Sequence, residues 1–413
     1  MLHPEPAQKA WNPDAIRSDF PLIAGLSGYG RITYLDNAAS AQKPRSVMDS
    51  MTDGAFTRYA NVHRGAHRLS GLATASYEGA RARLQAFLNA PGAEQVIFTK
   101  SATEAINLVA SAFAAIVAPG DEIIVSSLDH HANLVPWHML RERRGIVLRW
   151  VDPDAFGNLD PAAFADAITH RTRLVAVTHM SNVFGVLTPL EAIVRLAHER
   201  GVPVLADGTQ AVVHHAIDVS ALDVDFYALT GHKLYGPTGI GALYAKPGWL
   251  ERMSPMLGGG EMVATVGRNH VEYAPAPHKF EAGTPPILEA IGLVAALDYI
   301  ESVGRSSIAA HEAALGRHAR ARFAAIPGIT VFGDTEKPGP ILTFASASAH
   351  ANDIAAILDG KGICVRAGAH CTQPLHQMLG FSSTCRASFA MYSTLAEVDA
   401  LADAVDEALT ILK

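Results

Sequence analysis

From about residue 95 to residue 230 the chain alternates short runs rich in β-branched and aromatic residues with helical segments, and that alternation constrains the fold more than any other feature. EQVIFTK, residues 94 to 100, reads as a strand, and SATEAINLVASAFAAIV behind it reads as a helix with Ser101 and Glu104 in capping-box spacing. DEIIVSSL, IVLRWVD, RLVAVTHM, VPVLAD and VDFYALT read as further strands. Asp160-Pro161 and Thr188-Pro189 each place a capping residue before a proline at the first helical position. Strand then helix, repeated this often, implies parallel strands joined by right-handed crossovers, hence an α/β doubly wound sheet.

After about residue 299 the texture changes. Helix HEAALGRHARARFAAI, strands near GITVFG and PILTFA, helix HANDIAAILDGKG and strands ICVRAG and CRASFAMY suggest a smaller α+β unit. A last helix carries Val398, Leu401, Ala402, Val405, Ala408, Leu409 and Leu412 at helical spacing behind a Thr394 to Glu397 capping box, a stripe that reads as core. The expected division is a large domain over residues 34–298 and a small one formed by residues 1–33 and 299–413. With 413 residues, 49% apolar and 18% charged, a large buried core is available and a disordered or coiled-coil chain is excluded. A net charge of −7 without a long basic run argues against a nucleic-acid binder. The N-terminus lacks the apolar core of a signal peptide, and the longest apolar run, around Leu108 to Ala118, is too short to span a bilayer. No membrane contact and a cytosolic location are expected. Three cysteines, Cys364, Cys371 and Cys385, are an odd number in a long chain, so reduced thiols are the default.

In open α/β sheets the ligand crevice lies beyond the carboxyl ends of the strands, so residues just after each strand are the functional candidates. In order these are Ser101-Ala102-Thr103 at a helix start, Asp129-His130-His131, Asn182, then Asp207 with Gln210, then Thr230, His232 and Lys233. Free amides and hydroxyls at a helix start suit an anion, and the whole set suits a phosphorylated aromatic aldehyde held by an amine. Each member also has a structural reading: Ser101 and Thr103 as caps, Asp207 as a turn former, Lys233 as a solvated charge, His130 and His131 as a satisfied pair or as metal ligands. Gly236, Gly239 and Gly241 follow Lys233, whereas a P-loop places its glycines before the lysine. GLSGYG near the N-terminus has no G-x-G-x-x-G register after a strand, so NAD and ATP readings both weaken.

LADGTQAV, LTGHKLYGPTGIG, RAGAHCTQP and CRASFAMYST, together with YLDNAAS, YANVHRGAHRLS, TEAINLVA, HHANLVPW and FEAGTP, resemble the pyridoxal-phosphate-dependent cysteine desulfurases of the SufS-type (group II) branch, within the class V aminotransferases. The resemblance runs from about Trp11 to the last helix. It implies the fold type I architecture and pyridoxal 5'-phosphate carried on Lys233 as a Schiff base. It also implies that Asp207 pairs with the ring nitrogen, His130 stacks on the ring, and Gln210 bonds the phenolic oxygen. Ala102, Thr103, Thr230 and His232 would hold the phosphate, and Thr284 of FEAGT would reach the phosphate of a neighbouring subunit in a homodimer. Asn182 and Arg386 would bind the substrate carboxylate with support from Arg366, and Cys371 would be the nucleophile that takes sulfur from L-cysteine, or selenium from L-selenocysteine, as L-alanine leaves. The short interval from Cys371 to Arg386 implies a recessed thiol that needs a docking sulfur acceptor of the SufE or SufU kind, feeding iron–sulfur cluster assembly. Arg64 and His67 of NVHRGAHRLS are candidates for the pocket mouth. Three departures stand out: Ala369 where relatives commonly carry a second histidine, Ser40 for the usual threonine, and the residues of GTPPILE. Two rivals remain at this level: a selenocysteine lyase or other enzyme of the same fold that does not depend on Cys371, and a metal-dependent hydrolase built on Asp129, His130, His131, His370 and Cys371.

Overall fold

The computed structural model describes residues 11–25, 28, 32–333 and 339–412. The first ten residues of the N-terminal stretch, and all of GLSGYG except Gly25 and Gly28, lie outside the described residues.

Each apolar run expected as a strand is one: β1 Val96–Thr99, β2 Glu122–Ser126, β3 Val147–Val151, β4 Thr172–Thr178, β5 Val204–Asp207 and β6 Phe226–Thr230. A seventh, β7 Gly241–Ala245, follows the glycines after Lys233 and was not among the expected strands. The sheet order is β1-β7-β6-β5-β4-β2-β3, parallel from β6 to β3, with β7 antiparallel to both β1 and β6. The strands read as continuous apolar runs because both faces are covered. Ile124, Val175, Val177, Ala206 and Leu229 face one core cluster, while Ile123, Val125, Leu174, Leu205 and Ala228 face the other.

Two cap assignments change. The Ser101 side chain accepts from the Glu104 amide, but the Glu104 carboxylate accepts from the Lys100 amide, one residue short of a reciprocal box. Thr188 caps nothing: its hydroxyl donates to the Thr178 carbonyl at 2.6 Å, and the helix begins at Leu190 with Pro189 in front. Asp160 does cap Pro161–Ala167, and Thr394 with Glu397 closes both arms of the box on the last helix, Leu395–Ile411.

The C-terminal part builds a four-stranded antiparallel sheet in the order β8 Ile329–Phe332, β9 Ile341–Ser346, β11 Thr384–Ser388, β10 Arg366–Gly368. The segment ICVRAG, expected as one strand, is two: Ile363–Cys364 pairs in parallel with Thr33–Tyr34, and only Arg366–Gly368 joins this sheet. The N-terminal segment is tied to the same region, with Arg17 donating to the Tyr392 carbonyl at 2.7 Å and 2.9 Å from Glu397.

One glycine after Lys233 has a packing reason. A Cβ at Gly241 would sit 2.6 Å from the Leu229 carbonyl oxygen and 2.7 Å from the Ser101 backbone, all rigid main chain. Replacing Gly241→Ala forces β7 away from the start of the helix Ala102–Phe113. Overpacking of this kind costs about 1–3 kcal/mol, and the variant should show a lowered thermal unfolding midpoint.

Candidate active site

The carboxyl ends of β1, β2, β4, β5 and β6 open on a cavity of 310 Å³ lined by every residue to which the resemblance assigns a cofactor, substrate or nucleophile role, except Thr284; Asp129 and His131 do not line it. Thr284 lies instead on a separate 430 Å³ cavity beside Lys100 and Glu104. Lys233 ends a short 3-10 turn, Gly231–Lys233, that follows β6 directly. Burial, reinforced by Arg386, lowers its pKa from the ordinary lysine value to about 8, against the opposing pull of Asp207 and Cys371. The bland reading of Lys233 as a solvated charge is therefore excluded.

His130 follows β2 and accepts the Ala132 amide on Nδ1 at 3.0 Å, which leaves its proton on Nε2. Burial first, then Lys233, drives its pKa to about 3, so the ring is neutral. Asp207 closes β5 with one oxygen accepting the Thr209 amide at 3.0 Å, and it is 4% exposed. Gln210 donates to the Ala38 carbonyl at 2.8 Å. The Thr230 hydroxyl is buried with no hydrogen-bond partner among the described residues. His232 has its pKa lowered to about 4, again chiefly by burial, and faces the Ser40 hydroxyl at 3.3 Å. Replacement of threonine by serine at position 40 thus preserves a working hydroxyl.

The smaller sheet supplies the other wall. Register places Arg366 of β10 directly opposite Arg386 of β11. Sequence reasoning missed what makes this tolerable: Asp36, within the quoted YLDNAAS, lies 2.8 Å from Arg366 Nη2 and 3.3 Å from Arg386 Nη2. Its only signal was a carboxylate behind Tyr34-Leu35 in a segment that also carried family likeness. Arg386 donates Nη1 to the Asn182 carbonyl at 3.0 Å, and its buried Nε has no partner among the described residues. The Asn182 side chain donates to the His370 carbonyl at 2.8 Å, and the His131 amide donates to the Cys371 carbonyl at 2.7 Å. His370 and Cys371 both take the left-handed backbone conformation, with φ of 48° and 57°. Cys371, expected to be recessed, is instead exposed at the cavity it lines, because the short segment that carries it lies at the cavity mouth; Cys364 is half-buried and Cys385 is buried with its thiol donating to the Ala351 carbonyl.

These residues fit pyridoxal phosphate. An amine that lines the cavity with a lowered pKa is nucleophilic toward an aldehyde, and Asp207 is a buried carboxylate at the adjacent strand end. The helix start leaves the Ala102 and Thr103 amides without intrahelical acceptors, and the unpartnered Thr230 hydroxyl complements them for a phosphate. A metal reading finds no support around His130. Asp129 is raised to about 8 by burial and engages the Ser126 amide and Asn133. Among the described residues the one metal-like grouping is His63, Glu78 and His278, where Glu78 is already paired with Arg81. Arg64 and His67 do not line the cavity: Arg64 donates to the Val263 carbonyl at 3.2 Å and His67 caps the helix Arg68–Phe87.

Residues 33–401 match the family model for class-V aminotransferases. A cysteine desulfurase of Salmonella gallinarum is 47% identical over 392 residues, covering 94% of this chain and 96% of the relative, and one of Dickeya dadantii is 46% identical over 390 residues, 94% of each. Among solved structures, the cysteine desulfurase CsdA from Escherichia coli superposes with a TM-score of 0.90 at 40% identity, covering 98% of this chain and 100% of the other. The apo cysteine desulfurase of Thermococcus onnurineus does so at 0.92 and 35%, covering 96% and 98%.

The lowered pKa of Lys233 sets a pH dependence. Below about 8 the amine is mostly protonated and unreactive, and above it mostly neutral, so about a tenth is reactive at pH 7 where an ordinary lysine offers about one part in 3,000. In protein stripped of cofactor, the rate at which yellow colour returns on adding pyridoxal phosphate should rise with pH to a midpoint near 8. A rise only near pH 10 would show an unperturbed lysine, and Lys233→Ala should give no such colour.

Proposed function

The chain belongs to the class-V aminotransferase family, and from that premise we propose that it is a pyridoxal-phosphate-dependent cysteine desulfurase whose Cys371 takes the sulfur of L-cysteine as L-alanine is formed. The observation that carries this reading is the meeting of Lys233 and Cys371 in one cavity, with Arg386 between the two walls.

Each residue has a task that its environment supports. Arg386, buried and braced by Asp36, offers its guanidinium to the substrate carboxylate, with Asn182 beside it. Asp207 would pair with the ring nitrogen of the cofactor, neutral His130 would lie on the ring face, and Ala102, Thr103, Thr230 and His232 would hold its phosphate. When bound, pyridoxal phosphate supplies an electron-withdrawing ring that accepts the charge left on the substrate α-carbon. The Lys233 amine, freed by substrate and neutral in appreciable fraction, removes the α-proton at Nζ. The Cys371 thiolate then attacks the substrate sulfur: a sulfur–sulfur bond forms, the carbon–sulfur bond breaks, and protons returned to the carbon skeleton give L-alanine. Cys371 is left as a persulfide.

The finer placement in the SufS-type branch rests on the short Cys371 to Arg386 interval, which holds one compact helix, Gln373–Leu379, and no long mobile arm. An exposed thiol in a short segment favours delivery to a docking acceptor of the SufE or SufU kind, and from there to iron–sulfur cluster assembly. The position of Thr284 on a separate cavity supports its use by a second copy of the chain in a homodimer with shared sites. The proposed division keeps residues 34–298 as the cofactor domain and 1–33 with 299–413 as the small one. No helix among the described residues is long and apolar enough to cross a membrane, and the proposed setting is the cytosol.

Cys371→Ser should keep the yellow colour of the holoenzyme and lose alanine release from L-cysteine by at least about a hundredfold, a typical effect of removing a nucleophile. Full activity on cysteine would sink the persulfide route. Activity of the same variant confined to selenocysteine would favour a lyase role for that substrate.

A further inference from the structure

Outside the Lys233 cavity, two histidines and a glutamate from three segments converge on one point. His63 belongs to the loop before the helix Arg68–Phe87, and Glu78 to that helix. His278 opens the short turn His278–Phe280, which follows the hairpin of Val263–Val266 and Val271–Tyr273. A ring nitrogen of each histidine and an oxygen of Glu78 all lie within 4.8 Å of one another. The two imidazoles meet edge-on, their centres 4.8 Å apart with 69° between the planes.

The surroundings aim these groups without using them up. Glu78 Oε2 accepts from Arg81 Nε at 2.8 Å, while Oε1 meets His63 Nε2 at 2.9 Å, with Arg81 Nη2 farther off at 3.2 Å. The Arg81 pair therefore orients the carboxylate and leaves the side toward the histidines open. The His278 imidazole makes no hydrogen bond among the described residues; its ring contact with His63 is what holds it. The other nitrogen of His63, Nδ1, faces Glu261 Oε2 at 3.6 Å. A carboxylate behind the distal nitrogen is the arrangement that orients a metal-ligating histidine. Three carboxylates, Glu78, Glu261 and Glu281, stand against two guanidiniums, Arg64 and Arg81, which leaves one negative charge in excess for a cation. The His63 and Glu78 side chains are 21% and 35% exposed, so an ion can enter from solvent.

We propose that His63 Nε2, Glu78 Oε1 and the His278 imidazole form a site for a divalent transition cation of the zinc type, separate from the cavity that holds Lys233. Two imidazole nitrogens and one carboxylate oxygen suit zinc, whereas magnesium and calcium select oxygen donors. Three protein ligands leave the fourth tetrahedral position to water. With bonds of about 2.0–2.1 Å the donors around such an ion sit roughly 3.3 Å apart, so the 2.9 Å contact opens and the longest spacing closes by at most about 1.5 Å. A carboxylate only accepts, so the His63–Glu78 bond needs its proton on Nε2. The ion displaces that proton and takes the lone pair left behind; the ring then carries N–H at Nδ1, toward Glu261, and nothing is oxidised. The bound ion ties the His63 loop and the helix Arg68–Phe87 to the segment that continues through Glu281 to Thr284, both of which line the 430 Å³ cavity. Its effect falls on the stability of that wall rather than on chemistry at Lys233.

The test uses the cofactor-loaded protein, cleared of metal with a chelator, in the Cys371→Ser background so that zinc held by the exposed thiol is not counted. Zinc ion is added, bound metal is measured by equilibrium dialysis, and the thermal unfolding midpoint is read alongside. One ion per chain should bind, raise the midpoint, and resist an about tenfold excess of magnesium. His278→Ala should weaken binding at least about a hundredfold and abolish the rise in midpoint, and Glu261→Gln, behind the distal nitrogen, should weaken it about tenfold. If His278→Ala loses its cofactor absorbance, His63→Gln carries the same expectation. Absence of zinc binding in the parent protein, or equal binding by His278→Ala and His63→Gln, would overturn the site. Neither readout uses turnover of cysteine, so the result stands apart from the desulfurase reading.

Discussion

The site depends on one carboxylate. Antiparallel register sets Arg366 and Arg386 opposite each other, a pairing of like charges that destabilises a sheet unless something neutralises it. Asp36 bridges the two, and it reaches them because the N-terminal segment is laced to the smaller sheet. Leu35 donates to the Cys364 carbonyl at 2.9 Å, and Ser388 donates to the Leu35 carbonyl at 2.7 Å. Arg386 is 3% exposed, and burial lowers its pKa to about 10 while Asp36 pulls the other way. A buried guanidinium stripped of its partner is strongly destabilising, so this arginine is tied to a residue 350 positions earlier.

That positive wall tunes the rest of the cavity. Arg386 contributes to the lowered pKa of Lys233, of His130 and of His370. In each case burial acts first and in the same direction. The outcome is a site in which His130 and His370 stay unprotonated near neutral pH and Lys233 is neutral in appreciable fraction, beside a fixed cation. The same neutrality would suit His130 to the ring contact proposed for it.

The large sheet was legible because its signal is local. Continuous β-branched runs of four to seven residues cannot hide, and the strand-end rule then collected Ala102, His130, Asn182, Asp207, Thr230 and Lys233 into one cavity without knowledge of the strand order. What escaped were features set by partners distant in sequence. Strand β7 went unread: Gly241 is there to let Ser101 approach, a tertiary reason that composition does not reveal. Thr188 looked like a cap and instead closes the end of β4. Asp36 and the Arg366–Arg386 pairing carry no local mark of function. Each matters only through side chains that the fold brings to it, and Thr284 lies apart from the other candidates on a separate cavity.

The strain at Cys371 connects these levels. Two successive residues other than glycine in the left-handed region cost roughly 1–2 kcal/mol each, and the structure holds them there through bonds from Asn182 and His131 to their carbonyls. Only residues 369 to 372 separate the end of β10 from the start of the helix Gln373–Leu379. Four residues span at most about 14 Å when fully extended, and here both ends are anchored to regular elements while the middle is pinned. A thiol so placed gains a fixed aim at the expense of reach. On the proposed persulfide route the segment could not carry the sulfur outward without releasing those bonds, so the sulfur would be collected where Cys371 already meets solvent, and the shape of that mouth, rather than motion of the loop, would select the acceptor.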